Sequence, residues 1–449
     1  MLPAIFEQFV AASPVSVMTR ALMEYIYRPE RIDQIFEQHA QQQYQQDLLF
    51  STQVDLMSLV VCGIHPSVHA AYRAQADTLS VSVTSLYNKL QGVELGVSQA
   101  LVRETAGQLH QMIETVKGEQ PSPLPGYPVR IVDGNCLAGS DHRLKVTRVH
   151  AAKVLPGKSL AILDPSSQLV LDVILCEDGH AQERSLFAEL YAKIEAQQVW
   201  IADRNFCTLN LWFTVAERQA FGVIRQHQTM PYQALSELKP VGTTETGEIF
   251  EQPIEISDQG NSLRLRRIVV KLLKPTRDGE MELAILTNLP ETIAADEIAQ
   301  LYRKRWRIET LFQSVTTHFN SEIRTLAYPK AALFSFSLAL CAYNLLATIR
   351  AALGSVHGVA TVQAELSDFY LVDEVQGTYR GMMIAIAPSC WRLFQDNSQE
   401  FLCQILQYLA AQVNLKKFLK SPRGVKKKRT ANSGPKTSTS LNGSSFAGS

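Results

Sequence analysis

Pro128-Val-Arg-Ile-Val-Asp133 and Val199-Trp-Ile-Ala-Asp203 are the stretches that decide the fold, because each is a short apolar run ending in an aspartate. Runs of this length, rich in β-branched and aromatic residues, are typical of buried strands. Each carboxylate is therefore predicted at the tip of a strand. Taken singly, an aspartate is also an ordinary residue where a strand turns into a loop.

A third acidic residue, Glu309, lies in the stretch Tyr302-Arg-Lys-Arg305-Trp-Arg-Ile-Glu309. At about 100° per residue, Tyr302, Arg305, Glu309 and Thr316 would share a helix stripe roughly 60° wide. Arg305 and Glu309 at this spacing are also a common pair on a solvated helix face. The helix itself is predicted from apolar residues at amphipathic spacing: Ile298, Leu301, Ile308, Phe312 and Val315.

Three carboxylates from separate elements form an oxygen donor set that suits Mg²⁺ or Mn²⁺. When a phosphodiester reacts, both the attacking and the leaving oxygen gain negative charge, and two cations about 3.5 to 4 Å apart stabilise both. We therefore expect a site for two Mg²⁺ or Mn²⁺ ions. Arg305 would hold a phosphate through its planar fork, and Tyr302 would hydrogen-bond one.

These residues resemble the bacterial cut-and-paste DDE transposases of the insertion-sequence-4 group. The signature of that group is Tyr-x2-Arg-x3-Glu-x6-Lys on a helix, preceded by aspartates at strand ends. Tyr302, Arg305 and Glu309 match it in type and spacing, and Asp203-Arg204-Asn205-Phe206 fits its second motif. Thr316 stands where the signature has Lys. The resemblance covers residues 80 to 350.

The resemblance implies a ribonuclease-H-like α/β core, a mixed sheet flanked by helices, with an inserted β-rich subdomain and helical N- and C-terminal regions. It implies cleavage of DNA at transposon ends by metal-activated water, and then attack of the freed 3′ hydroxyl on target DNA. A homodimer would pair the two ends. The implied catalytic metal ligands are Asp133, Asp203 and Glu309. The implied DNA contacts are Tyr302, Arg305, Thr316 and Arg204.

Two other functions stay open at this point. A threonine at position 316 lacks the charge that the signature brings to the DNA backbone, which is compatible with a transposase-derived DNA-binding protein that has lost turnover. A host ribonuclease or resolvase on a related core would use the same acidic residues. That second alternative explains neither Tyr302 and Arg305 nor the long insertion.

Composition indicates a globular protein of several domains, with 449 residues, 46% of them hydrophobic and 19% charged. The 43 basic and 43 acidic residues are unevenly spread, because residues 416–449 hold nine Lys or Arg and no acid. This tail is either a phosphate-attracting segment or a solubilising disordered end. The opening residues lack a basic signal-peptide region, and the seven cysteines show no C-x-x-C spacing. The chain is expected in the bacterial cytoplasm, near the nucleoid, with reduced thiols.

The predicted organisation has six parts. They are a helical region with possible DNA binding (1–120), the first part of the catalytic core (121–225), an inserted β subdomain (226–288), the second part of the core (289–350), a helical C-terminal region (351–415) and a basic disordered tail (416–449).

Three further segments carry predictions. Residues 79–103 read as two short helices around a glycine, compatible with a DNA-reading helix-turn-helix or with an ordinary helix pair. The apolar stretch 331–349 approaches the length of a membrane span, but its polar residues favour a core helix. In the insertion, one basic face is predicted to contact DNA, and the segment has no tryptophan for base stacking. Its basic residues are Arg264, Arg266, Arg267, Lys271 and Lys274.

Overall fold

The computed structural model describes residues 2–137, 157–276, 279–323, 325–326 and 328–421. Most of the basic tail, from residue 422 onward, lies outside the described residues.

The chain begins with helices, as the scarcity of β-branched runs predicts. The α-helices before the first strand are α1 (Glu7–Ala12), α2 (Pro14–Ile26), α3 (Pro29–His39), α4 (Phe50–Val61), α5 (Val68–Ala74), α6 (Val83–Gly92) and α7 (Leu95–Val116). The second helix of the suspected helix-turn-helix is much longer than expected. It is a 22-residue helix whose buried side faces strand β3 (Leu169–Cys176) and helix α12 (Pro329–His357). DNA reading by this pair stays a prediction.

A mixed sheet forms the centre of the chain. Its first strands are β1 (Val129–Cys136), β2 (Lys158–Asp164), β3, β4 (Val199–Ala202) and β5 (Phe221–Arg225). Their order across the sheet is β3-β2-β1-β4-β5, with β1, β2 and β3 antiparallel and β1, β4 and β5 parallel. Strands β2 and β3 form an antiparallel hairpin. Helix α8 (Phe187–Ala192) lies between β3 and β4 along the chain, and helix α9 (Leu209–Glu217) connects the parallel strands β4 and β5.

The strands between residues 226 and 288 continue this sheet. They are β6 (Gln233–Ala234), β7 (Lys239–Thr244), β8 (Gly247–Asp258), β9 (Asn261–Leu272) and β10 (Glu282–Thr287). Strand β10 pairs antiparallel with β5, then β9 and β8 follow outward. The described residues therefore form one ten-stranded sheet. The insertion extends the core sheet, and its boundaries as a subdomain stay a prediction.

Alternation along the strands divides the sheet into two faces with separate cores. Ile131 and Ile201 face the core that contains α7 and α12, whereas Val132 and Trp200 face the core that contains α8 and α9. The remaining helices are α10 (Ala295–Arg303), α11 (Trp306–His318), α12, α13 (Val359–Glu365), α14 (Asp368–Ala385), α15 (Pro388–Asp396) and α16 (Gln399–Gln412).

The continuous helix predicted across Tyr302 and Glu309 is wrong, because α10 ends at Arg303 and α11 begins at Trp306. Four i to i−3 hydrogen bonds tighten the junction, among them those from Arg305 N to Tyr302 O (3.0 Å) and from Ile308 N to Arg305 O (3.1 Å). Helix α10 packs on β5 and β7 to β9, whereas α11 packs on β1, α12 and α14. The chain changes direction to cover both regions, which side-chain periodicity cannot reveal.

Helix α12 is the one described helix that is long and apolar enough to cross a membrane, and 94% of its most apolar window is buried inside the protein. Asn344 lies fully buried on this helix. Its Oδ1 accepts from Val170 N (2.8 Å) and its Nδ2 donates to Val170 O (2.9 Å). The Asn344 amide therefore pairs the backbone N–H and C=O of Val170 at the edge of β3. A buried contact of this kind is expected of a core helix and not of a helix that faces lipid.

Replacing Asn344 by Leu is expected to lower the free energy of unfolding by about 2 to 5 kcal/mol, because it leaves a buried N–H and a buried C=O of Val170 without partners. Urea denaturation measures the change. Ser337→Ala on the same helix is the control, since its hydroxyl donates only to Leu333 O of its own helix. An Asn344→Leu protein no less stable than the Ser337→Ala protein would contradict the role of the amide.

Candidate active site

Asp133 and Asp203 lie side by side on one face of the sheet. Ile131 and Ile201 are register partners in the parallel pair β1 and β4, and each aspartate follows its isoleucine by two residues. Because side chains alternate along a strand, both carboxylates extend from the face that α11 covers. The β1–β4 pairing ends at Ile131, and β1 continues to Cys136 paired with β2, so Asp133 lies two residues beyond that pairing and not at the strand end that the sequence predicted.

Asp203 directly follows β4, as predicted, and caps the 3₁₀ turn Arg204–Phe206. Its Oδ1 accepts from Asn205 N at 2.8 Å. Arg204, predicted to contact DNA, lies with its Nη1 at 3.3 Å from Glu280 Oε1, and Arg225 pairs with the other oxygen of that carboxylate. Glu280 therefore holds both guanidinium groups beside the site.

Arg305 bridges the first and third predicted ligands. Its Nη1 lies 2.9 Å from Asp133 Oδ2 and its Nη2 lies 2.5 Å from Glu309 Oε1. The interpretation of Arg305 and Glu309 as an ordinary surface pair is incomplete, because this guanidinium is only 12% exposed and also reaches the sheet. The junction between α10 and α11 places it there.

Tyr302, in the last turn of α10, contacts this arginine. It is 5% exposed, and a side-chain hydrogen bond joins it to Arg305. Burial raises the pKa of Tyr302 to about 12, against the opposing influence of Arg305 and Arg225. The hydroxyl therefore stays protonated and supports Arg305 in this structure, while its predicted phosphate contact stays a prediction.

Burial and neighbouring charges shift the pKa of Asp133. Burial raises the pKa of this carboxyl to about 6; Arg305 lowers it, and Asp203 raises it again. Burial likewise lowers the pKa of Arg305, but Tyr302, Asp133 and Glu309 outweigh that effect and raise it overall. The site is thus a partly desolvated carboxylate cluster with one embedded cation, and like charges held this way are common at functional sites.

Glu183, which the sequence analysis missed, lies at the same strand ends. It begins the 3₁₀ turn Glu183–Leu186 that leads into α8. A Cβ added to Gly134 would stand 2.2 Å from Glu183 Oε1, so this carboxylate rests against the glycine that follows Asp133. The available signal was Gly134 itself, because a glycine inside a strand often marks a close approach.

The donor set fits hard divalent cations, since it consists of carboxylate oxygens from separate elements. The three predicted ligands do not yet converge on one point, because Arg305 lies between Asp133 and Glu309. Within the described part of the chain, one group of three or more His, Cys, Asp or Glu residues has all its possible metal-ligand atoms within 4.8 Å of one another. That group, His110, Glu114 and Glu119, lies at the end of α7 and beyond it, and it includes none of the predicted ligands.

Thr316 lies on the same side of α11 as Glu309, because seven residues correspond to nearly two full turns. It is exposed, and its hydroxyl donates to Phe312 O of its own helix at 2.8 Å. The structure therefore leaves a solvent-facing position two turns beyond Glu309.

The basic residues of the insertion do not share one face, and DNA contact by either face stays a prediction. Residues 264 and 266 alternate with residues 267 and 271 along β9 and thus face opposite sides of the sheet. Arg266 pairs with Glu251 at 2.6 Å and donates to three backbone carbonyls between Leu289 and Ile293. It therefore ties the insertion to the segment before α10. Arg267 donates to Gln226 Oε1 at 2.8 Å.

Comparison with known proteins shows what this arrangement is similar to. The family described as the transposase DDE domain matches residues 124–345, which include both aspartates and Glu309. A putative transposase, y4zB, of Sinorhizobium fredii is 29% identical over 168 residues, covering 36% of this chain and 44% of that protein. A probable transposase for insertion sequence element IS5377 of Geobacillus stearothermophilus is 24% identical over 199 residues, covering 43% of this chain and 49% of that protein.

A cryo-EM structure of the piggyBac transposase synaptic complex with hairpin DNA aligns over 93% of this chain and 88% of that one, at 13% identity and a TM-score of 0.41. The chain spans about half the length of the two curated relatives. The domain match, together with a mixed sheet that has one aspartate on β1 and another directly after β4, gives the class that this part of the chain is similar to, the transposase DDE domains. More particularly, the domain match and both relatives support a DDE transposase.

Proposed function

We propose that this chain is a DDE transposase of the insertion-sequence-4 type, which cleaves DNA at the ends of its element and joins the freed ends to target DNA. The observation that carries the proposal is that Arg305 joins Asp133 to Glu309 while Asp203 lies near enough to Asp133 to raise its pKa, although the three carboxylates come from elements separated along the sequence. In cleavage, a water oxygen attacks phosphorus and the 3′ oxygen leaves. In joining, that 3′ hydroxyl attacks a target phosphodiester, and the target's 3′ oxygen leaves.

Asp133, Asp203 and Glu309 would hold two Mg²⁺ or Mn²⁺ ions, and transposase DDE domains use divalent metals. Bound there, the ions would lower the pKa of a bound water and stabilise the charge on the phosphate oxygens. Both displacements are in line at phosphorus, so one carboxylate set serves both.

Arg305 would contribute to both metal and DNA binding. In the protein alone it neutralises Asp133 and Glu309, and its buried Nε has no hydrogen-bond partner. A phosphate oxygen of the substrate would satisfy this donor, and a guanidinium fork suits a phosphate well. Arg305 thus supports a site for an anionic backbone directly beside the carboxylates.

Nicking of a plasmid that carries the element's ends tests the proposal. Purified protein with Mg²⁺ or Mn²⁺ is expected to nick this plasmid, to leave a plasmid without the ends intact, and to do nothing in EDTA. A shift of the DNA in a gel without any nicking would instead identify a transposase-derived binding protein. Cleavage of the RNA strand in an RNA–DNA hybrid would identify a ribonuclease.

Thr316→Lys is expected to strengthen binding to the element's ends, because it adds a cation two turns beyond Glu309 on the same exposed side of α11. One added phosphate contact steepens the dependence of log K on log salt by about 0.9. Affinity measured by fluorescence anisotropy at several salt concentrations gives both quantities. Thr317→Lys is the matched control, since it is equally exposed but lies about 100° around the helix. Equal gains from both variants would contradict a DNA-tracking stripe.

A further inference from the structure

Glu183 reaches the candidate site from the opposite side of the sheet. Its 3₁₀ turn leads into α8, whose Phe187 and Leu190 belong to the core with Val132 and Trp200. Glu309, by contrast, extends from α11, which packs on the other face together with Ile131. The two glutamates therefore approach the strand ends from the two helical layers.

The missing side chain of Gly134 makes this approach possible. Gly134 follows Asp133 on β1, and because side chains alternate, its side of the strand faces α8 rather than α11. Glu183 Oε1 occupies the space that a Cβ would need, at 2.2 Å from that position, and its carboxyl carbon is only 2.8 Å away. No side chain other than hydrogen leaves room there for the carboxylate.

Asn205 connects Glu183 with the second aspartate. Its backbone N–H donates to Asp203 Oδ1 at 2.8 Å, and its side chain makes a hydrogen bond with Glu183. Lys158, whose charge lowers the pKa of Glu183 against the effect of burial, donates its ammonium to Ala181 O. One asparagine thus contacts both carboxylates, that of Glu183 in the 3₁₀ turn before α8 and that of Asp203 directly after β4.

From this geometry we propose that Glu183 is a fourth carboxylate of the site and binds the divalent cations held by Asp133 and Asp203. The inference rests on the proposed function. Two divalent cations bring more positive charge than three carboxylates neutralise once Arg305 is counted, and a fourth oxygen donor reduces that excess. Mg²⁺ and Mn²⁺ both accept carboxylate oxygens of this kind.

Binding of Mn²⁺ to the full chain without DNA, followed by electron paramagnetic resonance, tests the proposal. Glu183→Gln keeps the volume and removes the charge, and it is expected to weaken Mn²⁺ binding about tenfold, in the range seen when groups around a metal are replaced. Gly134→Ala alters no charged group but places a methyl where Glu183 Oε1 lies, so a similar loss is expected. Glu189→Gln, an exposed glutamate on α8, is the control and is expected to bind Mn²⁺ like the wild type.

Wild-type Mn²⁺ affinity in Glu183→Gln, with the wild-type circular dichroism spectrum, would overturn the proposal. A loss in Glu183→Gln without any loss in Gly134→Ala would also overturn it, because the carboxylate would then act from another position. Asp133→Asn separates this failure from failure of the proposed function. If Asp133→Asn loses Mn²⁺ and Glu183→Gln does not, only the fourth carboxylate is wrong; if Asp133→Asn also keeps Mn²⁺, the metal site itself is wrong.

Discussion

Asp133→Asn, Asp203→Asn and Glu309→Gln are each expected to reduce metal-dependent nicking roughly a thousandfold or more, because each removes a charge that holds the cations and such cations supply several kcal/mol of transition-state stabilisation. DNA binding by the same proteins is expected to remain close to that of the wild type, since the DNA contacts lie on other residues. Nicking of end-containing plasmid gives the rate, and anisotropy gives the affinity.

Asp178→Asn is the matched control for these variants. Asp178 follows β3 and accepts the backbone N–H of His180 at 2.9 Å, much as Asp203 follows β4 and accepts that of Asn205. It is exposed and lies outside the carboxylate cluster. If all three site variants lost DNA binding while Asp178→Asn kept it, the carboxylates would be structural and their metal role would be refuted.

The second large effect concerns pH, because burial raises the pKa of Asp133 from 3.8 to about 6. Between these two values the folded protein holds a proton that the unfolded chain has released, so the metal-free protein loses stability as pH rises through this window. A shift of this size corresponds to about 3 kcal/mol at most. Asp133→Asn removes the effect and is expected to be more stable than the wild type at pH 8 but not at pH 4.

At pH 8, divalent cations are expected to make the wild type more stable than Asp133→Asn, since they bind the ionised carboxylate of Asp133. Denaturant unfolding at pH 4, 6 and 8, with and without Mg²⁺, measures both effects. Mg²⁺ is expected to stabilise the wild type at pH 8 and to have little effect on Asp133→Asn. Below pH 6, the affinity for Mg²⁺ is expected to fall about tenfold per pH unit, because a proton competes for the ligand. Identical stability of the two proteins at every pH would contradict a raised pKa.

Sequence patterns within single helices, strands and turns predicted much of the fold. The apolar runs before Asp133 and Asp203 form strands, the segments around 158–164 and 169–175 form a hairpin, and the polar residues within 331–349 mark a core helix. These features follow from periodicity and local turn chemistry, which a sequence displays directly. Because side chains alternate between the two faces of a sheet, Asp133 and Asp203 share a face once β1 and β4 are neighbours.

Features that depend on distant segments were predicted less well. The break between Tyr302 and Glu309 arises because α10 and α11 cover different regions of the sheet. The pairing of β10 with β5, which joins the insertion to the core sheet, involves segments about sixty residues apart. No local pattern identifies Glu183, because its partner, Gly134, lies far away in the sequence.

The sequence by itself determined which residues carry the chemistry: two aspartates after apolar strands, and a glutamate one helical turn beyond an arginine. Tertiary structure alone decided how they meet, with Arg305 between Asp133 and Glu309, Tyr302 beneath that arginine, and Glu183 against Gly134. The physical reason is that strand and helix periodicities are set by neighbouring residues, whereas strand order and helix direction are set by burial of apolar surface shared among segments far apart in the chain.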